Sequence, residues 1–365
     1  MSGNFLQRGI PASFDKWMRA ENAINNGIDI VFELPTCYAT ASAEFFSMGA
    51  IGILNKLNSI NYISFGCKYD NLDLMKTIAK ILQNEDEPFK KELQKQIHSG
   101  ISFPVARCNA LKNYLKDYDN AELIENILLD PNNILAIEYL KALYEYDSNI
   151  TPYIIKRKSV DYSSTDIVDN ITSSTGIREL LKNDDYTNLK KVVSDYTYTK
   201  IKKDISSGKM PMTFKNFEKE IFYKLRIMSA NEISNIFDVS EGIENTIKKA
   251  LNNSQDIYEL IENIKSKRYT QTRVQRILIH SLLDIKEEYI KKIKYLPKYA
   301  RLIAVSKNGQ KVLPTITKNS SIPIVTSVSK FLKTANDDEK EMMNLDILAS
   351  NVYTLGYEIT YFKKY

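Results

Sequence analysis

The segment Ile171-Thr172-Ser173-Ser174-Thr175-Gly176-Ile177-Arg178 carries more potential chemistry than any other in the chain. Hydroxyl side chains at a helix start cap its free N–H groups, and those groups with the helix dipole form an anion site. Arg178, within the first turns, adds a charge that neutralises a phosphate. An ordinary Ser/Thr cap followed by a surface arginine satisfies the same residues. The two histidines, His98 and His280, lack a CxxC, HExxH or GxSxG companion and read as surface or packing residues. This scarcity speaks against a His-based triad or a multi-His metal site. Cys37, Cys67 and Cys108 are odd in number and widely spaced, which argues for buried thiols rather than disulfides or a zinc cluster.

A second concentration of chemistry is electrostatic. The net charge is +5, yet Lys265 to Lys311 holds thirteen Lys and Arg against three acids, Asp284, Glu287 and Glu288. The rest of the chain is net acidic. Arg273 and Arg276 share a helical face, Arg268 is within reach of it, and Lys267 and Tyr269 stand at the helix start. Such a cluster suits a polyanion, with phosphates on the cations and an aromatic ring against a base. A Lys-rich solvated helix face is the competing reading.

The elements that position these residues follow from hydrophobic period. Asp15 to Asn26 is helical, with Gly27 as its cap, and Ile28 to Leu34 is a buried strand ended by Pro35. A helix over Ala41 to Asn55 and a strand over Asn61 to Phe65 repeat the pattern. Short links between alternating helices and strands imply crossovers and a parallel sheet, with ligands beyond the strands' C-terminal ends. Asn71 to His98 reads as two helices divided near Pro88, Asn132 to Tyr144 as another, and Tyr153-Ile154-Ile155 as a short strand. Beyond Tyr186 strands become scarce. The expected architecture is α/β: a Rossmann-like nucleotide domain over residues 1–188, then a mainly helical domain over 189–365. A hydrophobic share of 43% with 26% charged residues is a globular balance, not that of a disordered chain. No apolar run reaches the roughly 18–20 residues of a membrane helix, and no signal peptide is legible, so a cytoplasmic location is expected.

The Ile171–Arg178 string resembles the I-S-S-T-x-I-R signature of the HIGH-type nucleotidyltransferase superfamily. The opening Met1-Ser2-Gly3-Asn4-Phe5-Leu6-Gln7-Arg8-Gly9-Ile10-Pro11-Ala12 is similar to the M-S-G-x-F-x-Q-R-G-x-P-A block of the tRNA(Met) cytidine acetate ligases. Lys16-Trp17-x-Arg19-Ala20, Gly27 to Pro35, Phe65-Gly66, Ser99 to Pro104, Pro131 to Leu135, Lys267 to Arg273, Arg301-Leu302 and Lys307-x-Gly309-Gln310 continue the match in order. The resemblance implies a two-step ligation. ATP and acetate give an acetyl-adenylate, and the wobble cytidine amine of elongator tRNA(Met) takes the acetyl group. Such chemistry needs positioning and charge neutralisation rather than a nucleophilic side chain. By the same resemblance Gly66, Asn132, Arg157 and Lys158 lie near the nucleotide, with Ser173, Ser174, Thr175 and Arg178 at its phosphates. Gln7 and Arg8 line an acetate or cytidine pocket. Lys267, Arg268, Tyr269, Arg273 and Arg276 contact tRNA, and Arg301 and Lys307 extend that surface. Mg2+ is expected with ATP, and no protein metal site.

The family pattern normally opens with a strand and an E-Y-N-P-F-H-N-G-H turn whose histidines bind the ATP phosphates. Met1 falls on an internal methionine of that pattern, so a strand–loop–helix of about 30–40 residues is expected to be missing. Either the chain starts at an internal site of a longer protein, or the gene product is a truncated, inactive RNA-binding homologue. No catalytic residue is assignable on these terms.

Overall fold

The computed structural model describes residues 1–101, 103–157, 166–209, 211–293 and 296–357. The chain forms two compact units, one of residues 50–159 and one of residues 1–49 with 160–365. Five strands are present among the described residues: β1 (Ile30–Glu33), β2 (Tyr62–Cys67), β3 (Thr151–Lys156), β4 (Ala300–Val305) and β5 (Ile324–Val325).

In the 50–159 unit, β2 and β3 pair in parallel, from Tyr62 opposite Thr151 to Cys67 opposite Lys156. The helix Pro131–Glu145 covers one face of β2, where the Phe65 and Tyr139 rings lie 5.7 Å apart. Tyr62, Tyr153 and Ile155 on the other face are exposed. The expected helix pair is Leu72–Gln83 and Glu87–His98. Asp86 caps the second, and Pro88 sits in its first turn, where a missing N–H leaves no hydrogen bond unmade.

The other unit opens with helix Lys16–Asn25, whose cap Asp15 accepts from Met18 N. The strand expected from Ile28 to Leu34 forms as β1, but its pairing differs from expectation. β1 runs antiparallel to β4, and β4 runs parallel to β5. The short-link rule assumes that consecutive strands pair, whereas the partner of β1 lies some 270 residues onward in the half read as nearly strandless. Local patterning carries no information about such a partner. Phe5 is buried against Phe217 and Tyr353, at 5.7 and 5.9 Å between ring centroids, and Tyr353 Oη donates to Ala12 O. The opening segment is thereby enclosed by C-terminal helices. No helix among the described residues is long and apolar enough to cross a membrane.

Candidate functional site

At the C-terminal end of the parallel pair the structure gathers three of the expected nucleotide residues. Arg157 donates to Asn132 Oδ1 at 3.1 Å, and a Cβ built on Gly66 would stand 3.2 Å from Arg157 Cγ. Gly66 thus leaves room for the arginine stem at the strand end. Asp130 caps the Pro131–Glu145 helix by accepting from the N–H groups of Asn132 and Asn133, so the Asn132 side chain is not itself the cap. Cys67 is buried, and burial pushes its thiol up to about 12, which leaves it inert. Lys158 lies outside the described residues.

In the other unit, helix Ser174–Lys182 begins at the predicted place. Ser173 is buried as its N-cap, and its Oγ accepts from Thr175 N and Gly176 N, both at 3.0 Å. That hydroxyl secures the helix start, and Ser174 is the exposed hydroxyl of the three. Ile177 and Leu180 pack the helix onto a core of Phe14, Met18, Leu181, Leu189 and Ile201. Arg178 is half-buried one turn in.

The opening segment is held by a buried ionic network that sequence reasoning missed. Lys16 Nζ donates to both Glu33 carboxylate oxygens, at 2.7 and 3.0 Å, and Arg301 Nη1 lies 3.1 Å from Glu33 Oε2. Arg301, expected on the tRNA surface, is therefore buried instead. The β1–β4 register sets it opposite Glu33. The half-buried Arg19 donates to Phe14 O, Ser2 O and Gly3 O, and a Cβ on Gly3 would meet Glu33 Oε1 at 2.7 Å. The M-S-G and F-E-L-P motifs are two sides of one contact. Beside it, Asp346 accepts from Thr36 N and Tyr299 Oη, and burial with the nearby Glu33 charge pushes its carboxyl up to about 6.

Beyond Phe5 the chain makes a tight turn, with Leu6 O accepting from Gly9 N at 2.8 Å. Gly9 has φ +69°, and a Cβ there would stand 2.2 Å from Arg276 N. The Gln7-Arg8-Gly9 turn thus rests on the backbone of helix Gln271–Leu282, which carries Arg273 and Arg276. The expected acetate or cytidine residues and two expected tRNA residues share one neighbourhood.

The basic cluster is organised around residues 238–241. Arg268 Nε donates to Glu241 Oε2 at 2.7 Å, and Arg276 Nε to Asp238 Oδ2 at 2.6 Å. Arg273 donates through Nε and Nη2 to Asp238 O, and to Ser240 Oγ. Tyr269 is buried rather than presented: its hydroxyl donates to Glu241 O, and the Arg268 and Arg273 guanidinium carbons lie 5.9 and 5.7 Å from its ring centroid. Lys267 and Lys307 are exposed. The only advance signal of this loop is the polar run Asp238-Val239-Ser240-Glu241-Gly242 ahead of a helix.

His280 is fully buried, its ring nitrogens 3.1 Å from Phe237 O and 3.0 Å from Thr40 O. It is a packing residue, one of the two kinds expected; His98 is exposed. Among the described residues no group of three His, Cys, Asp or Glu is placed to hold a metal.

Residues 1–365 match the family described as HIGH Nucleotidyl Transferase. The chain is 37% identical, over 98% of its length and 87% of the relative's, to a protein named tRNA(Met) cytidine acetate ligase in Halothermothrix orenii. It is also similar to the crystal structure of Thermotoga maritima TmcAL in its apo form. There the TM-score is 0.94 and the identity 28%, over 99% of this chain and 87% of that one. The same protein bound with alpha-thio ATP superposes with a TM-score of 0.91 at 28% identity, over 98% and 87% of the two chains.

Proposed function

From the premise that the chain belongs to the HIGH nucleotidyl transferases, among the tRNA(Met) cytidine acetate ligases, we propose that it joins acetate to N4 of the wobble cytidine of elongator tRNA(Met). The acetate oxygen attacks the α-phosphorus of ATP and pyrophosphate leaves. The cytidine amine then attacks the acetyl carbonyl, AMP leaves and the amine loses its proton. The observation that carries this reading is the 37% identity sustained along 98% of the chain to a ligase of that name. A structural neighbour that holds an ATP analogue supports ATP as the activating substrate.

We assign nucleotide contacts to Gly66, Asn132 and Arg157, and phosphate contacts to the Ser173–Arg178 helix start, with Ser174 and Thr175 as the hydroxyls toward the ligand. Gln7 and Arg8 take the acetate or cytidine end. Residues 1–188 serve adenylation and 189–365 serve tRNA binding, with Lys267, Arg268, Arg273 and Arg276 as the phosphate contacts and Lys307 at their margin. Mg2+ accompanies the triphosphate as its counter-ion.

The test is incubation of the chain with ATP, carbon-labelled acetate and elongator tRNA(Met). Label in N4-acetylcytidine, with AMP and pyrophosphate released in step, is the expected result. Unlabelled tRNA at full ATP and acetate sink the assignment.

A further inference from the structure

Three arginines of one basic cluster commit the same atom to the same short loop. Arg268, Arg273 and Arg276 each donate Nε to Glu241, to the Asp238 carbonyl or to the Asp238 carboxylate. A guanidinium has five N–H donors in a planar fork, and Nε stands on the edge away from the terminal pair. An arginine anchored through Nε keeps terminal donors for a second, bidentate partner such as a phosphate. Arg276 shows this most plainly. Its side chain is 11% exposed, its Nε is paired, and no other hydrogen bond or ion pair engages it among the described residues.

The loop that does the anchoring has unusual backbone. Asp238 and Glu241 hold φ of +69° and +61°, and Gly242 follows at +85°. Non-glycine residues at positive φ persist where surrounding structure over-determines them. Here the surrounding structure is the arginine motif itself, with Tyr269 Oη on Glu241 O at 2.7 Å.

We propose that Asp238 and Glu241 are positioning residues for RNA binding: two acidic side chains that orient Arg268 and Arg276 toward phosphates, with the Asp238 carbonyl orienting Arg273 between them. This inference rests on the reading of the cluster as the tRNA surface. It makes a prediction opposite to simple electrostatics. Removing a carboxylate raises local positive charge, which by itself tightens binding to a polyanion. Removing an anchor lets a long side chain wander, and its ordering must then be supplied on binding.

The experiment measures elongator tRNA(Met) affinity of the full chain at several salt concentrations for the parent, Asp238→Asn and Glu241→Gln. Asn tolerates positive φ, so Asp238→Asn retains the backbone and its carbonyl contact. Glu241→Gln removes an exposed ion pair and leaves the Tyr269 hydroxyl on the residue-241 carbonyl. Each variant replaces a charge-assisted anchor with a weaker neutral one and is expected to bind about three- to ten-fold more weakly, as one loosened arginine implies. The salt slope should remain that of the parent, because the phosphate-facing cations are all still present. Unchanged or tighter binding in both variants overturns the positioning role. The pair Arg268→Ala with Arg273→Ala separates the two readings: if it leaves affinity and salt slope unchanged, the tRNA surface itself falls. If it weakens binding while the carboxylate variants do not, only the positioning role falls.

Discussion

His280 shows how tertiary placement fixes the behaviour of a single residue. Burial holds its imidazole below the ordinary value of about 6.5, outweighing the pull of Asp238. The unfolded chain therefore binds a proton that the folded chain refuses. The stability tied to His280 is full above about pH 6.5 and is lost as pH falls below it, by at most about 1.4 kcal/mol per unit. Asp346 works in the opposite sense, because its carboxyl is pushed up to about 6 and the folded state holds the extra proton. A His280→Gln variant retains Asp346, so the effect of that carboxyl cancels when the variant is set against the parent. Melting temperatures of the parent and of His280→Gln should diverge on acidification from about pH 7 to pH 5, the parent falling more steeply. Parallel curves over that range would show that His280 does not titrate on unfolding.

At the scale of elements, the decisive contacts join segments far apart in sequence. The Leu6–Ile10 turn sits on helix Gln271–Leu282 through Gly9, where only a residue without Cβ clears Arg276 N. Ser306 Oγ caps the start of helix Gly309–Asn319 by accepting from Asn308 N and Gly309 N, and donates to Asp29. Gly309 passes so close to Asp29 O that a Cβ there would stand 2.3 Å away. The G-I-D and K-x-G-Q motifs are thus one joint beside the β1–β4 pair. Gly9→Ala must both adopt positive φ and push the turn off the helix, which costs about 1–3 kcal/mol. The tRNA-dependent step should suffer more than acetate-dependent pyrophosphate exchange, as separate assays of the two half-reactions would reveal. Equal loss in both steps would show that the turn does not serve the cytidine side in particular.

Over the whole molecule, charge is where sequence and structure part. Of the twelve cations between Lys265 and Lys311 that lie among the described residues, eight have an acidic partner: Lys265, Arg268, Arg276, Lys286, Lys291, Lys292, Lys298 and Arg301. Among the described residues, Arg268, Arg273 and Arg276 gather around the 238–241 loop, with Lys267 next to Arg268 in sequence. The logarithmic salt slope of tRNA binding should therefore have a magnitude of about 3–4, at about 0.7–0.9 per phosphate. A slope near 10, as the bare charge count implies, would mean that the paired lysines also release to RNA. The sequence by itself determined the alternation of elements, the hydroxyl cap at Ser173, a strand that ends at Gly66, and the family. Those rest on local period, local capping and ordered motifs, which a chain displays without folding. Tertiary structure alone decided that β1 pairs with β4, that Arg301 is buried against Glu33, and that Tyr269 supports a loop rather than offering its ring. Each of these depends on a partner tens to hundreds of residues away, and neither hydrophobic period nor residue type encodes which distant group a side chain will meet.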